Sequence, residues 1–123
     1  MEPNKIIEGC IEKQKELLYG FGGNPKVSRE MLEEALNPVH AAISLEGEPA
    51  LYPLLGELVE AYLDHGFKSV FIVTNGTRPE ILENLCCEPS QLYVSLSAPD
   101  EDTYKKTCRP MLNGLWDKVL ETV

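Results

Sequence analysis

The sequence predicts an α/β fold built on a short parallel sheet, and three observations carry that prediction. The runs Val39–Leu45, Ser69–Thr74 and Leu92–Ser97 are short and mainly apolar, as expected of strands covered on both faces. Segments with apolar residues at helical spacing separate them, and alternating strands and helices make right-handed parallel crossovers. Turn residues break each run at its carboxyl end, as Glu46-Gly47-Glu48-Pro49, Asn75-Gly76-Thr77 and Ala98-Pro99.

Two helices are expected before the first strand. From Pro3 to about Tyr19, Ile6, Ile7, Cys10, Ile11, Leu17 and Leu18 fall near one helical face, with Pro3 suited to the first turn and Gly20 to the end. A turn-rich loop, Phe21-Gly22-Gly23-Asn24-Pro25, follows. Ser28 then caps a short helix carrying Met31, Leu32, Ala35 and Leu36, which Asn37-Pro38 stops.

After the first strand, Pro53 begins a helix in which Leu54, Leu55, Leu58, Val59, Tyr62 and Leu63 form one buried stripe, with Gly66 past its end. Asn75-Gly76 favours a hairpin only between alternating strands. The segment beyond it reads as a helix opened by Pro79 and carrying Ile81, Leu82 and Leu85. Two helical regions, Tyr104–Cys108 and Leu115–Leu120, end the chain.

At 123 residues and 43% hydrophobic content, residues 1–123 form one unit. Three parallel strands leave two open edges, so flanking strands are expected from elsewhere. No run of about 18 apolar residues exists to cross a membrane. The charged first twenty residues cannot form a signal-peptide core, which makes the cytoplasm the default location. A net charge of −9 repels phosphate backbones, so the segment alone is expected to bind nucleic acid poorly. Lys105, Lys106 and Arg109 are the densest cations and read first as a solvated helix end. Cys10, Cys86, Cys87 and Cys108 lack C-x-x-C spacing and are read as free thiols rather than metal ligands.

Ligands of parallel α/β folds sit beyond the carboxyl ends of strands, which directs attention to the three loops after Leu45, Thr74 and Ser97. Gly47 allows close backbone approach, and Pro49 restricts Glu48 to an extended conformation, so this loop offers a fixed carboxylate and carbonyls to an ammonium group. Turn chemistry alone also explains Gly-Glu-Pro. Thr74, Asn75 and Thr77 offer groups for ribose hydroxyls or for the free amides of the next helix. Ser95 and Ser97 are expected on one face near the strand end. His40 reads as a hydrogen-bonded interior residue and His65 as a helix-end residue, neither beside a nucleophilic serine. Glu46 and Glu48 form at most a weak acid/base pair.

Taken together, Gly20–Pro25, His40–Pro49 (HAAISLEGEP), Val73–Thr77 (VTNGT), Gln91–Pro99 (QLYVSLSAP) and Cys108-Arg109-Pro110 resemble one family, the archaeal-type radical S-adenosylmethionine enzymes of wyosine synthesis, the 4-demethylwyosine synthases. The resemblance runs through the chain in order and covers the central part of a family member. It implies a partial (β/α) barrel of the radical SAM type, with 1–123 a fragment of the core domain. Gly47, Glu48 and Pro49 match the motif that holds the amino group of S-adenosylmethionine, and Thr74, Asn75, Ser95 and Ser97 match strand-end positions around that cofactor. The family condenses pyruvate carbons onto N1-methylguanosine of tRNA-Phe, using a radical made when a [4Fe-4S] cluster cleaves S-adenosylmethionine.

Two departures from the family stand out. The C-x3-C-x2-C cluster motif, the cysteines of a second cluster and a lysine implicated in pyruvate binding, all expected before the first helix, are absent from this sequence. Without three thiolates no site-differentiated cluster forms, so no residue here is assigned to metal and the segment alone is expected to be inactive. Ser97 stands where the resemblance leads one to expect aspartate. Two other readings remain: a non-catalytic partner that completes its sheet with another chain, and a metal-independent α/β-barrel enzyme using Glu48 as acid/base.

Overall fold

Pro3 occupies the first turn of α1 (Pro3–Leu17), and the helix buries Ile7 completely while its charged positions face solvent. Residues 1–123 are all described by the structure, a computed structural model. A single 3-10 turn at Phe21–Gly23 leads to α2 (Arg29–Leu36), where the Ser28 hydroxyl accepts the Met31 amide as the sequence predicts. Then come β1 (His40–Ile43), a 3-10 turn (Pro49–Leu51), α3 (Leu55–Asp64), β2 (Ser69–Thr74), α4 (Pro79–Glu83), β3 (Gln91–Val94), α5 (Glu101–Cys108) and α6 (Leu115–Thr122).

The three strands form one parallel sheet in the order β1-β2-β3. His40 pairs with Ser69 and Ile43 with Ile72 on one side; Phe71 pairs with Gln91 and Thr74 with Val94 on the other. Along β2, Val70, Ile72 and Thr74 are buried while Ser69, Phe71 and Val73 are only half-buried. One face therefore carries the core. There Val70 and Ile72 meet Leu55, Leu58, Val59 and Tyr62 of α3, Phe67, and Ile7 of α1. Tyr62 and Phe67 close this cluster edge to face, with ring centroids 4.9 Å apart.

The opposite face is bare, which corrects the expectation of strands covered on both sides. Ala42 of β1 and Tyr93 of β3 are exposed, and His40, expected in the interior, is exposed too. Its Nδ1 lies 2.6 Å from Ser69 Oγ, the neighbour its register dictates. This chain therefore covers the sheet with helices on one face only.

Boundary differences have local causes. β1 stops at Ile43 rather than Leu45 because Leu45 adopts a left-handed backbone (φ 82°). The α3 helix begins at Leu55 rather than Pro53, because Pro49–Leu51 first makes a separate turn. The chain leaves β3 at Val94, where the Leu96 amide turns back onto the Val94 carbonyl (3.2 Å). A smaller cluster of Ala98, Tyr104 and Val119, backed by Leu115 and Trp116, joins α5 to α6.

Burial raises the Tyr62 phenol from 10.0 to about 12, with Cys10 adding to the effect. The unfolded chain ionises Tyr62 first, so the folded state binds more protons in this interval and stability falls as pH rises. We expect a loss of about 2 kcal/mol across that interval from this group, read as a falling urea midpoint. A Tyr62→Phe variant whose midpoint falls as steeply overturns the assignment.

Candidate functional site

Glu48 lies between a left-handed Gly47 (φ 80°) and Pro49, and its backbone is extended (φ −126°, ψ 116°), as the proline requires. Its carboxylate projects across to the end of β2. Oε1 accepts the Ala50 amide at 3.0 Å and the Thr74 hydroxyl at 2.5 Å; Oε2 accepts the Asn75 amide at 2.7 Å. Thr74 Oγ1 in turn accepts the Gly76 amide at 3.1 Å. One carboxylate thus binds the β1 and β2 loops together. Hydrogen bonds to an ionised group are the strong ones, and Thr74 is 1% exposed, so solvent competes little.

This arrangement changes the chemistry assigned to Glu48 by sequence. With three donors already on it, the carboxylate ties the strand-end loops together, which disfavours the metal-independent acid/base reading. The carbonyls of Glu46 and Gly47 accept none of the backbone hydrogen bonds. Both residues are exposed.

Asn75 and Thr77 work on each other. The Thr77 amide and hydroxyl both donate to Asn75 Oδ1, at 3.0 and 2.7 Å, so Thr77 does not cap α4, contrary to one sequence expectation. Gly76 (φ 72°) lets the chain turn there, and a Cβ at this position would sit 2.9 Å from Val94 Cγ1. The Thr122 hydroxyl donates to the Gly76 carbonyl at 2.7 Å. Nothing in the sequence pattern signals that contact, which joins residues 46 positions apart.

Ser95 is held by its amide, which donates to the Thr74 carbonyl at 2.9 Å. Both Ser95 and Ser97 are exposed and lie beyond β3. The tight turn at Val94–Leu96 breaks the two-residue period on which their shared face was argued. The structure therefore brings Gly47, Glu48, Pro49, Thr74, Asn75 and Ser95 to one carboxyl edge, with Ser97 further along the same connection.

The cysteines do not converge. Cys10 lies on α1, Cys86 and Cys87 between α4 and β3, and Cys108 at the end of α5, all free. Burial pushes the Cys87 thiol up, and Glu60 beside it adds to the shift. No group of three or more His, Cys, Asp or Glu side chains is arranged to hold a metal ion. These residues do not fit an iron-sulfur cluster.

Residues 24–123 match the radical SAM superfamily. The chain belongs to that superfamily. It is 52% identical over 122 residues to the S-adenosyl-L-methionine-dependent tRNA 4-demethylwyosine synthase of Pyrococcus horikoshii, covering 97% of this chain and 35% of the relative. The Methanocaldococcus jannaschii synthase is 38% identical, with 99% of this chain and 38% of the relative covered. A solved TYW1 with a lysine-pyruvate adduct bound superposes with a TM-score of 0.89 at 38% identity, covering 99% of this chain and 40% of that one. The resemblance to 4-demethylwyosine synthases stated from the loop motifs is thereby borne out, as is the α/β architecture of a partial radical SAM barrel. This radical SAM segment spans between about a third and two-fifths of the length of these three relatives. No helix in it is long and apolar enough to cross a membrane.

Proposed function

We propose that this segment forms the S-adenosylmethionine cradle of a tRNA-modifying radical SAM enzyme that makes 4-demethylwyosine by condensing pyruvate carbons onto N1-methylguanosine of tRNA-Phe. The observation that carries the reading is the Glu48 clamp. It ties the β1 and β2 loops together beside the exposed Glu46 and Gly47, whose carbonyls accept no backbone hydrogen bond, in a chain 52% identical to a 4-demethylwyosine synthase.

An ammonium group has three donors and no acceptor, so the methionyl amine is held by the Glu46 and Gly47 carbonyls, with Glu48 and Pro49 fixing the turn that presents them. Asn75 leaves its side-chain NH2 free for a ribose hydroxyl, because its oxygen is committed to Thr77. Ser95 and Ser97 line the third loop and offer hydroxyls to the same ligand. Bound S-adenosylmethionine supplies an organic radical on one-electron reduction. The bare sheet face is the inner wall of the reaction chamber, completed by polypeptide outside these residues.

A chimera tests this. The matching 122 residues of the Pyrococcus horikoshii synthase are replaced by this chain, and tRNA bearing N1-methylguanosine is supplied with pyruvate, reductant and S-adenosylmethionine. Mass spectrometry of the digested tRNA is expected to show 4-demethylwyosine. A chimera that folds and holds its cluster yet gives no product overturns the reading. The segment alone, under the same conditions, is expected to release no 5′-deoxyadenosine.

A further inference from the structure

The stretch Thr103–Trp116 carries Lys105, Lys106 and Arg109 and not one carboxylate, in a chain of net charge −9. It forms the distal part of a helical hairpin, α5 and α6, whose two feet stand at the candidate site. One foot is Asp100, three residues past Ser97, whose carboxylate caps α5 by accepting the Thr103 amide at 2.8 Å. The other is Thr122, bonded to the Gly76 carbonyl.

At the far end of the hairpin is a cavity of about 230 Å³, lined by Glu101, Tyr104, Lys105, Arg109, Asn113 and Trp116 among others. It is smaller than a pocket for a drug-sized cofactor. Tyr104 is buried, and its ring centroid stands 5.5 Å from that of the half-buried Trp116. Lys105 is engaged by Glu101 at 2.6 Å, whereas Lys106 and Arg109 make no ion pair. Arg109 adopts a left-handed backbone (φ 48°, ψ 56°), an unfavourable conformation for a residue with a Cβ. Glycine suits that position better, yet arginine occupies it. Next to it, Met111 is 98% exposed.

An aromatic wall and a side-chain amide around a small cavity, with the unpaired cations Arg109 on its lining and Lys106 on the same helix end, are the chemistry of single-stranded nucleic-acid recognition, where bases stack and cations meet phosphates. We propose that the tip of this hairpin is an RNA contact, in which Arg109 and Lys106 hold the sugar-phosphate backbone and Trp116 takes an unpaired base. The proposal rests on the reading of the enzyme as a tRNA modifier and adds where its RNA is gripped.

Trp116 is the only tryptophan, so its fluorescence reads the site directly. An RNA hairpin with an unpaired loop, titrated into this chain at low salt, is expected to quench Trp116 saturably. Binding should weaken roughly tenfold between about 50 and about 200 mM salt. Arg109→Gly removes the guanidinium while relaxing the backbone, so it retains the fold, and it is expected to lower RNA affinity about tenfold. In the chimera the same change should raise KM for tRNA and leave S-adenosylmethionine affinity unmoved. No saturable quenching, or an affinity indifferent to Arg109→Gly, overturns the proposal. Because the titration needs neither cluster nor turnover, it stands or falls separately from product formation by the chimera.

Discussion

Glu48→Gln is expected to destabilise the chain by about 3 kcal/mol and to lower S-adenosylmethionine binding at least tenfold. Glutamine has nearly the same shape, but only one of its two terminal atoms accepts. If the amide oxygen keeps Ala50 and Thr74, the NH2 group faces the Asn75 amide, donor against donor. If it flips, the Ala50 and Thr74 donors lose their acceptor. Either way a charge-assisted bond is replaced by an unsatisfied or repelled donor in a site closed by buried Thr74, where each such group costs about 1–3 kcal/mol. Untying the two loops also frees the Gly47 carbonyl to move. Urea denaturation reads the first effect and equilibrium dialysis with radiolabelled S-adenosylmethionine the second. A midpoint and affinity equal to wild type would mean that the carboxylate does not join the loops.

The second large effect is expected at Gly56→Ala, in the first turn of α3. Alanine gains up to about 1 kcal/mol in helix propensity over glycine, so an exposed site would be stabilised. Here the new Cβ would sit 2.7 Å from Cys86 Sγ and 2.8 Å from the Cys86 backbone nitrogen. The sulfur can rotate away, but the nitrogen belongs to the chain entering β3 and cannot. Overpacking of this kind costs roughly 1–3 kcal/mol and occasionally more, and a backbone clash belongs at the upper end, so we expect a net loss of about 2–3 kcal/mol. Gly56→Ala in a Cys86→Ala background separates the two contacts. Full recovery of stability there would show that the thiol, rather than the backbone, sets the limit.

Much of this was readable from local pattern. The stripe Leu55, Leu58, Val59 and Tyr62 identified the best-buried helix because four residues at that spacing can face only one way. The strand centres were legible because three apolar runs end in turn chemistry, and the loops so found hold the candidate residues. Failures began where distant parts of the chain decide. His40 sits in an apolar run yet faces the bare side of the sheet. Ser95 and Ser97 were placed by a period that a turn of three residues interrupts. Glu48 was recognised as a fixed carboxylate, but its partners Thr74 and Asn75 lie 26 and 27 positions away, and only the parallel register brings them within reach. The hairpin cavity was invisible for the same reason: Lys105, Lys106 and Arg109 read as an ordinary helix end until α6 brings Trp116 against Tyr104.

The half-covered sheet has a consequence for the life of this polypeptide when it is made by itself. Both outer strands, β1 and β3, present unpaired backbone donors and acceptors, and the uncovered side adds Phe71 and Tyr93, whose rings stack edge to face 6.0 Å apart. Unpaired edges beside apolar surface are templates for pairing with further copies. Self-association through these edges is therefore expected to grow with concentration, and light scattering across a dilution series reads it.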